Sequence, residues 1–147
     1  MPTLQDFPAR GKVIDVRGDN VIVFQPHGST YEMHLQTEHR YAGPVGEPVQ
    51  ARIRLSARKI YTVPSGGNFV QPIFGQPRIV QGRVKFVDER SLVVHAGAPI
   101  IVDLPGADSA IDLTEGQIRV NHLANVVALP GATFELLADF VAMSNEQ

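Results

Sequence analysis

The histidines are the first residues of this chain that could do chemistry, because histidine is the commonest metal ligand and proton shuttle. Glu32 and His34 share one face of a predicted strand, and Glu38 follows nearby, so these three side chains could hold a metal ion. His39 lies five residues after His34, a spacing typical of neither a helical metal pair nor a catalytic motif. Since a metal site needs three or four converging ligands, we interpret this group as a solvated strand face.

Carboxylates and hydroxyls elsewhere in the chain give no stronger sign of catalysis. Asp103, Asp108 and Asp112 surround a loop, but they lack the alternating oxygen-ligand spacing and the glycine of a calcium loop. No serine stands in a Gly-x-Ser-x-Gly motif, and the absence of cysteine excludes thiol catalysis and Cys-based metal sites. The sequence therefore predicts no enzyme, no metal site and no cofactor, and a metal-dependent enzyme is the least favoured function.

A basic strand is the clearest candidate ligand site. It carries four cations and one aromatic side chain, namely Arg52, Arg54, Arg58, Lys59 and Tyr61. Cations beside an aromatic ring can bind single-stranded nucleic acid through backbone attraction and base stacking, and the same cations could bind a small oxyanion. The formal net charge is nevertheless −2, so affinity for phosphate does not dominate this protein.

The charges are distributed unevenly along the chain. Residues 1–74 contain eight basic and six acidic side chains, whereas residues 75–147 contain five and nine. Opposite charges favour head-to-tail contact between molecules or contact between the two halves of one molecule. This asymmetry slightly favours an interaction role over the other functions.

The elements that position these residues are short strands. Hydrophobic residues make up 44% of the 147-residue chain, and they mostly alternate with polar ones, as in residues 31–36 and 50–55. Such alternation is typical of antiparallel strands with one wet face. The end of the chain predicts a closing strand over residues 133–137, followed by a short helical or frayed end.

An internal match divides the chain into two copies. The sequence GKVIDV at residues 11–16 matches GRVKFV at residues 82–87, and five further segments match in the same order, ending near Phe134. In this alignment residues 52–55 fall on residues 117–120. We therefore predict two tandem small antiparallel β-barrels, OB-like or SH3-like, or two sandwich units, packed together as residues 1–75 and 76–147.

The order of strands in each copy resembles that of small OB-like barrels, including the tandem oxyanion-binding modules of molybdate proteins. Those modules open with a Ser-Ala-Arg-Asn stretch before the glycine-led strand, whereas Pro8, Ala9 and Arg10 precede Gly11 here. No ligand residue is therefore transferred from them to this chain.

The connector between the copies, residues 64–78, is a candidate interface. It contains Phe69, Val70, Ile73 and Phe74, which make it too apolar for a free linker. We expect it to pack between the copies, to add a strand to a sheet edge, or to meet a partner.

These observations favour a non-enzymatic binding or assembly module that acts through a protein partner or self-association. The alternative is an OB-like module that binds an oligonucleotide or a small oxyanion through the basic strand. No basic and apolar leader opens the sequence, and its longest apolar runs have four or five residues, so we expect a cytoplasmic protein without a membrane span.

Overall fold

The computed structural model describes residues 3–104 and 118–137. Apart from a 3-10 turn at Leu4–Asp6, the regular structure in these ranges is entirely β. The strands are, in chain order, β1 Ala9–Arg17, β2 Val21–Pro26, β3 Glu32–Gln36, β4 Pro48–Val63, β5 Phe69–Gln71, β6 Phe74–Gly75, β7 Ile79–Val87, β8 Ser91–His95, β9 Pro99–Asp103, β10 Leu123–Ala128 and β11 Thr133–Leu136. The described residues contain no helix with the length and apolar character that a membrane crossing requires.

All eleven strands belong to one mixed sheet, with the main order β1-β2-β3-β11-β4-β10-β7-β8-β9 and two further pairings, β1–β4 and β4–β9. The all-β prediction is confirmed, but the expectation of purely antiparallel strands is wrong. β3 pairs in parallel with β11 and β6, and β4 pairs in parallel with β9. Alternation along a strand does not reveal such pairings, because each joins segments that are far apart in the chain.

The long strand β4 belongs to both halves of the sheet. Its first residues pair with β1 and β11, and its later residues pair with β9 and β10. Its alternate side chains, from Val49 to Ala57, enter a hydrophobic core that also contains Val80, Val102 and Phe134. The described residues of the two predicted copies, 1–75 and 76–147, therefore belong to one sheet and one core.

Two three-stranded meanders, β1-β2-β3 and β7-β8-β9, have the same local irregularity. The register between the first two strands shifts between Val13 and Asp15 in one meander and between Val84 and Phe86 in the other. Gly11 and Gly82 precede these shifts, and a Cβ on either would overlap a backbone oxygen of the neighbouring strand. Both strands have glycine at this position because only a residue without a side chain allows this approach.

The register corrects the sequence alignment in the later part of each half. Gly11 pairs with Val49 of β4 and Gly82 pairs with Ala124 of β10, whereas the alignment matched residues 117–120 to residues 52–55 of β4. Residues 118–120 are not in a strand, and residue 117 lies outside the described residues. The predicted closing strand is β11, and the predicted helical or frayed end also lies outside them.

Candidate functional site

The strand β4 presents the basic side chains on its outer face. Arg52 and Arg54 alternate with buried residues, as the sequence predicts. The register between β4 and β10 then shifts. Val127 pairs with Lys59, whereas the next residue, Ala128, pairs with Ala57. This bulge leaves Arg58 without a partner on β10, and both Arg58 and Lys59 are exposed.

Arg54 is held by a carboxylate from the other half of the chain. Its Nε and Nη2 atoms donate hydrogen bonds to the two oxygens of Asp103, at 2.7 and 2.8 Å. The Ser91 hydroxyl donates to Asp103 Oδ1 at 2.8 Å. Burial alone would raise the pKa of Asp103, but the hydrogen bonds from Arg54 and Ser91 and the charge of Arg54 lower it overall.

Arg52 is also paired, since its Nη1 atom lies 3.1 Å from Glu135 Oε1. Two cations from residues 1–74 are thus joined to carboxylates from residues 75–147. The opposite charges of the two halves therefore meet within one molecule at these two points. Both arginines are less available to an external anion than their sequence position suggests.

The other members of the basic strand, Arg58, Lys59 and Tyr61, lie nearer the end of β4 at Val63. Lys59 Nζ is 5.5 Å from the centre of the Tyr61 ring. Arg58 lines a shallow groove of about 600 Å³ together with Arg78, a cation that sequence analysis did not assign to the site. Within the described part of the chain, neither Arg58 nor Lys59 has a carboxylate partner. Among the described residues, this end of the basic strand therefore carries its unpaired cations.

The connector divides into a buried and an exposed part. In β5, Val70 is 2% exposed and Phe69 is half-buried, because this strand pairs with β7. Ile73 and Phe74 are 61% and 52% exposed. The first two residues of the predicted interface therefore pack within the fold, and the last two lie at the surface.

Hydrogen bonds hold the exposed part of the connector in place. The Ile73 carbonyl accepts a bond from the Glu32 amide at 2.8 Å, and β6 pairs with β3. At the other end, the Gln71 carbonyl accepts from the Arg78 amide at 2.8 Å, and the Gln76 side chain accepts from the Gly131 amide at 2.6 Å. The two apolar side chains are therefore presented on a fixed segment.

Phe74 forms a small cluster with two residues that sequence analysis did not place beside it. The His34 ring meets it edge-on with ring centres 4.6 Å apart, and the Arg17 guanidinium lies 5.6 Å from its centre. His34 Nε2 is buried and has no hydrogen-bond partner. These contacts depend on the pairing of β6 with β3, which local sequence does not indicate.

The candidate metal ligands at the histidines lie within the described residues, whereas most of the acidic loop lies outside them. Among the described residues, no group of three or more His, Cys, Asp or Glu side chains could hold a metal ion. His34 contacts Phe74, and His39 lies 3.8 Å from its neighbour Glu38 at an exposed position. Asp108 and Asp112 lie outside the described residues.

In comparisons with known proteins, no family model and no curated protein sequence matches this chain.

The bond between Arg54 and Asp103 should make stability depend on acid pH. Because the folded-state pKa of Asp103 is lowered, its contribution is complete above the unfolded value of about 3.9 and is lost as pH falls through the folded value. We expect Asp103→Asn to lower the free energy of unfolding at pH 7 by about 1–2 kcal/mol. Urea unfolding from pH 7 to pH 2 measures this, and the difference from the wild type should shrink with acid. A difference that is constant across this range would contradict the assignment.

Proposed function

We propose that this protein is a non-enzymatic assembly module that self-associates through Ile73 and Phe74. The observation that carries the proposal is the exposure of two large apolar side chains on a segment held by hydrogen bonds. Burying such a side chain is favourable by about 1.5–3 kcal/mol, and a fixed segment loses little conformational entropy on contact. An exposed aromatic residue of this kind is typical of the centre of a protein interface.

A second copy of the chain is the partner that the cluster fits. A two-fold interface needs a patch that is complementary to itself. The patch offers an aromatic ring in Phe74, an aliphatic side chain in Ile73 and a guanidinium in Arg17, so that the arginine of one molecule can lie on the ring of the other. Aromatic residues and arginine are enriched in such interfaces.

The test is the molar mass in solution. Size-exclusion chromatography with light scattering over a dilution series should show a dimer that dissociates on dilution. We expect the double variant Ile73→Ser and Phe74→Ser to weaken association by at least about tenfold.

Val45→Ser is the matched control, because Val45 is 52% exposed, as is Phe74, but lies outside the connector. It should associate like the wild type. A wild-type protein that stays monomeric throughout the series, or a control that dissociates as easily as the double variant, would refute self-association at this patch.

For the alternative function, binding of an oligonucleotide or oxyanion, the basic strand offers fewer unpaired cations than the sequence suggests. Arg52 and Arg54 already pair with Glu135 and Asp103. Within the basic strand of the described structure, only Arg58 and Lys59 are without such partners, which is why we favour assembly over binding at this strand.

We further propose that the chain is a fused pair of OB-like barrels that exchange a strand. The pairings β1-β2-β3-β11-β4-β1 form one closed path, and β7-β8-β9-β4-β10-β7 form another. In the first path the strand parallel to β3 is β11, which comes from the second half. In the second path the strand parallel to β9 is the later part of β4, which comes from the first half.

The segments that precede β1 and β7 support the same exchange. Phe7, which precedes β1, lies 5.8 Å from Phe86 of the second meander, measured between ring centres. Phe74, which precedes β7, contacts His34 of the first meander. In this proposal residues 1–75 and 76–147 are two copies that complete each other rather than two independent domains.

A further inference from the structure

A groove beside β1 occupies the place that, in the other half of the protein, is covered by the chain itself. The registers define this correspondence. Arg10 pairs with Gln50 and Lys12 with Pro48, just as Gln81 pairs with Asn125 and Arg83 with Leu123.

In the second half, the connector lies over these residues. Gln81 Nε2 donates a hydrogen bond to the Gly67 carbonyl at 2.9 Å, and Gln81 Oε1 accepts one from Asn125 Nδ2 at 2.9 Å. A Cβ on Gly66 would lie 3.6 Å from Leu123 Cδ2, and Phe69 pairs with Gln81. An extended segment of about six residues therefore covers this face, and Gln81 is 7% exposed.

In the first half, no segment of the described residues lies over the same face. A groove of about 520 Å³ is lined by Arg10, Gly11 and Lys12, by residues 25–29, and by residues 48–50. Its volume lies within the range of ligand-binding clefts. Arg10, Lys12 and His27 are all exposed.

The groove has one sign of charge. Arg10, Lys12 and His27 are its titratable side chains, and none of the described residues that line it is acidic. Arg10 and Lys12 also have no carboxylate partner among the described residues. Arg52 and Arg54 of β4, in contrast, are already paired with carboxylates.

We propose that this groove binds an extended acidic peptide segment of a partner protein. The segment would contact the Arg10 side chain, with Gln50 beside it, as Gly67 contacts Gln81, whose side chain Asn125 holds. Arg10 takes the place of the amide that holds the Gly67 carbonyl, and it can donate to a backbone carbonyl or to a carboxylate. Gln50 supplies an amide like that of Asn125, and Lys12 adds charge that selects acidic side chains.

The connector supplies the design of a probe. A fluorescein-labelled peptide with the sequence of residues 64–71, carrying Ser65→Asp and Asn68→Asp, is titrated with the full-length protein by fluorescence anisotropy. We expect saturable binding that weakens as salt is added. The peptide with the unaltered sequence should bind more weakly, and equal binding of the two would overturn the preference for acidic segments.

Variants locate the site. Arg10→Glu with Lys12→Glu should weaken binding by at least about tenfold, whereas Arg58→Glu with Lys59→Glu, the same charge change on β4, should change it less than about twofold. Circular dichroism and thermal unfolding verify that both variants fold. Absence of binding at low salt, or equal loss in both variants, would overturn the proposal.

Two further outcomes are decisive. A single-stranded oligonucleotide that displaces the peptide at lower concentration, and that loses affinity in the Arg10 and Lys12 variant, would assign the groove to nucleic acid instead. The inference does not depend on self-association, so Phe74→Ser should bind the peptide like the wild type. Failure of dimerisation and failure of peptide binding are therefore distinguishable.

Discussion

Phe134→Ala should destabilise the first half of the protein by about 3–5 kcal/mol, although Phe134 belongs to the second half of the sequence. The side chain is 4% exposed. Its ring centre lies 5.4 Å from that of Phe24 and 5.9 Å from that of Tyr41, which it meets edge-on. Truncation to alanine leaves a cavity beside the rings of Phe24, on β2, and Tyr41, in the loop between β3 and β4.

The measurement combines urea unfolding with hydrogen exchange. A loss of 3–5 kcal/mol is a large part of the stability of an ordinary domain, which is about 5–15 kcal/mol. We expect amide exchange to accelerate more in β1-β2-β3 than in β7-β8-β9, because Phe134 packs on the first meander. Phe134→Leu is the control and should cost less, since it keeps most of the buried volume. A loss below about 1 kcal/mol, or faster exchange in the second meander only, would contradict the assignment of β11 to the first half.

Local sequence predicted those features of the fold that depend on side-chain alternation. The outward Arg52 and Arg54 and the inward Ile53 and Leu55 of β4 follow directly from the period of two. The glycines at matching positions within β1 and β7 were also predicted, and their reason is the close approach of a neighbouring backbone oxygen. Both features are encoded within one strand or one turn.

Features that depend on long-range pairing were not predictable in the same way. The charges of Arg54 and Asp103 meet because β4 and β9 are parallel, and nothing within either strand encodes that direction. The basic strand was therefore read as one continuous site, although its first two arginines are paired. Sequence reasoning missed the groove at Arg10 and Lys12 for a similar reason, since it is recognised only by comparison with the covered face at Gln81.

Composition alone predicted that the connector packs against the fold, but not which of its side chains are buried. Its apolar residues excluded a free linker, and pairing of β5 with β7 and of β6 with β3 agrees with that expectation. Composition could not separate Val70, which is buried, from Phe74, which is exposed. Both β5 and β6 pair with a neighbouring strand, but the Val70 side chain belongs to the hydrophobic core, whereas that of Phe74 lies at the surface beside His34 and Arg17.

The strand exchange proposed for the two halves predicts that neither folds alone. Fragment 1–75 lacks β11, so β3 and the first part of β4 lose the strand between them. Fragment 76–147 lacks β4, so β9 and β10 lose theirs. A chain of about 75 residues is marginal even with a complete core, and each fragment would leave apolar strand surface in water. We expect both fragments to lack cooperative unfolding.

Mixing the fragments should restore the fold, because each supplies the strand that the other lacks. Equimolar fragments should regain the circular dichroism of the intact chain and unfold cooperatively, with a midpoint that rises with concentration. A fragment 1–75 extended through a flexible linker by residues 130–137 should gain protection in β1-β2-β3, whereas the same extension with a scrambled sequence should not. Cooperative unfolding of either unextended fragment by itself would refute the exchange, since it would show that one half can close its own sheet. Recovery only on mixing would instead identify the exchanged strands as the interaction that holds the two halves together.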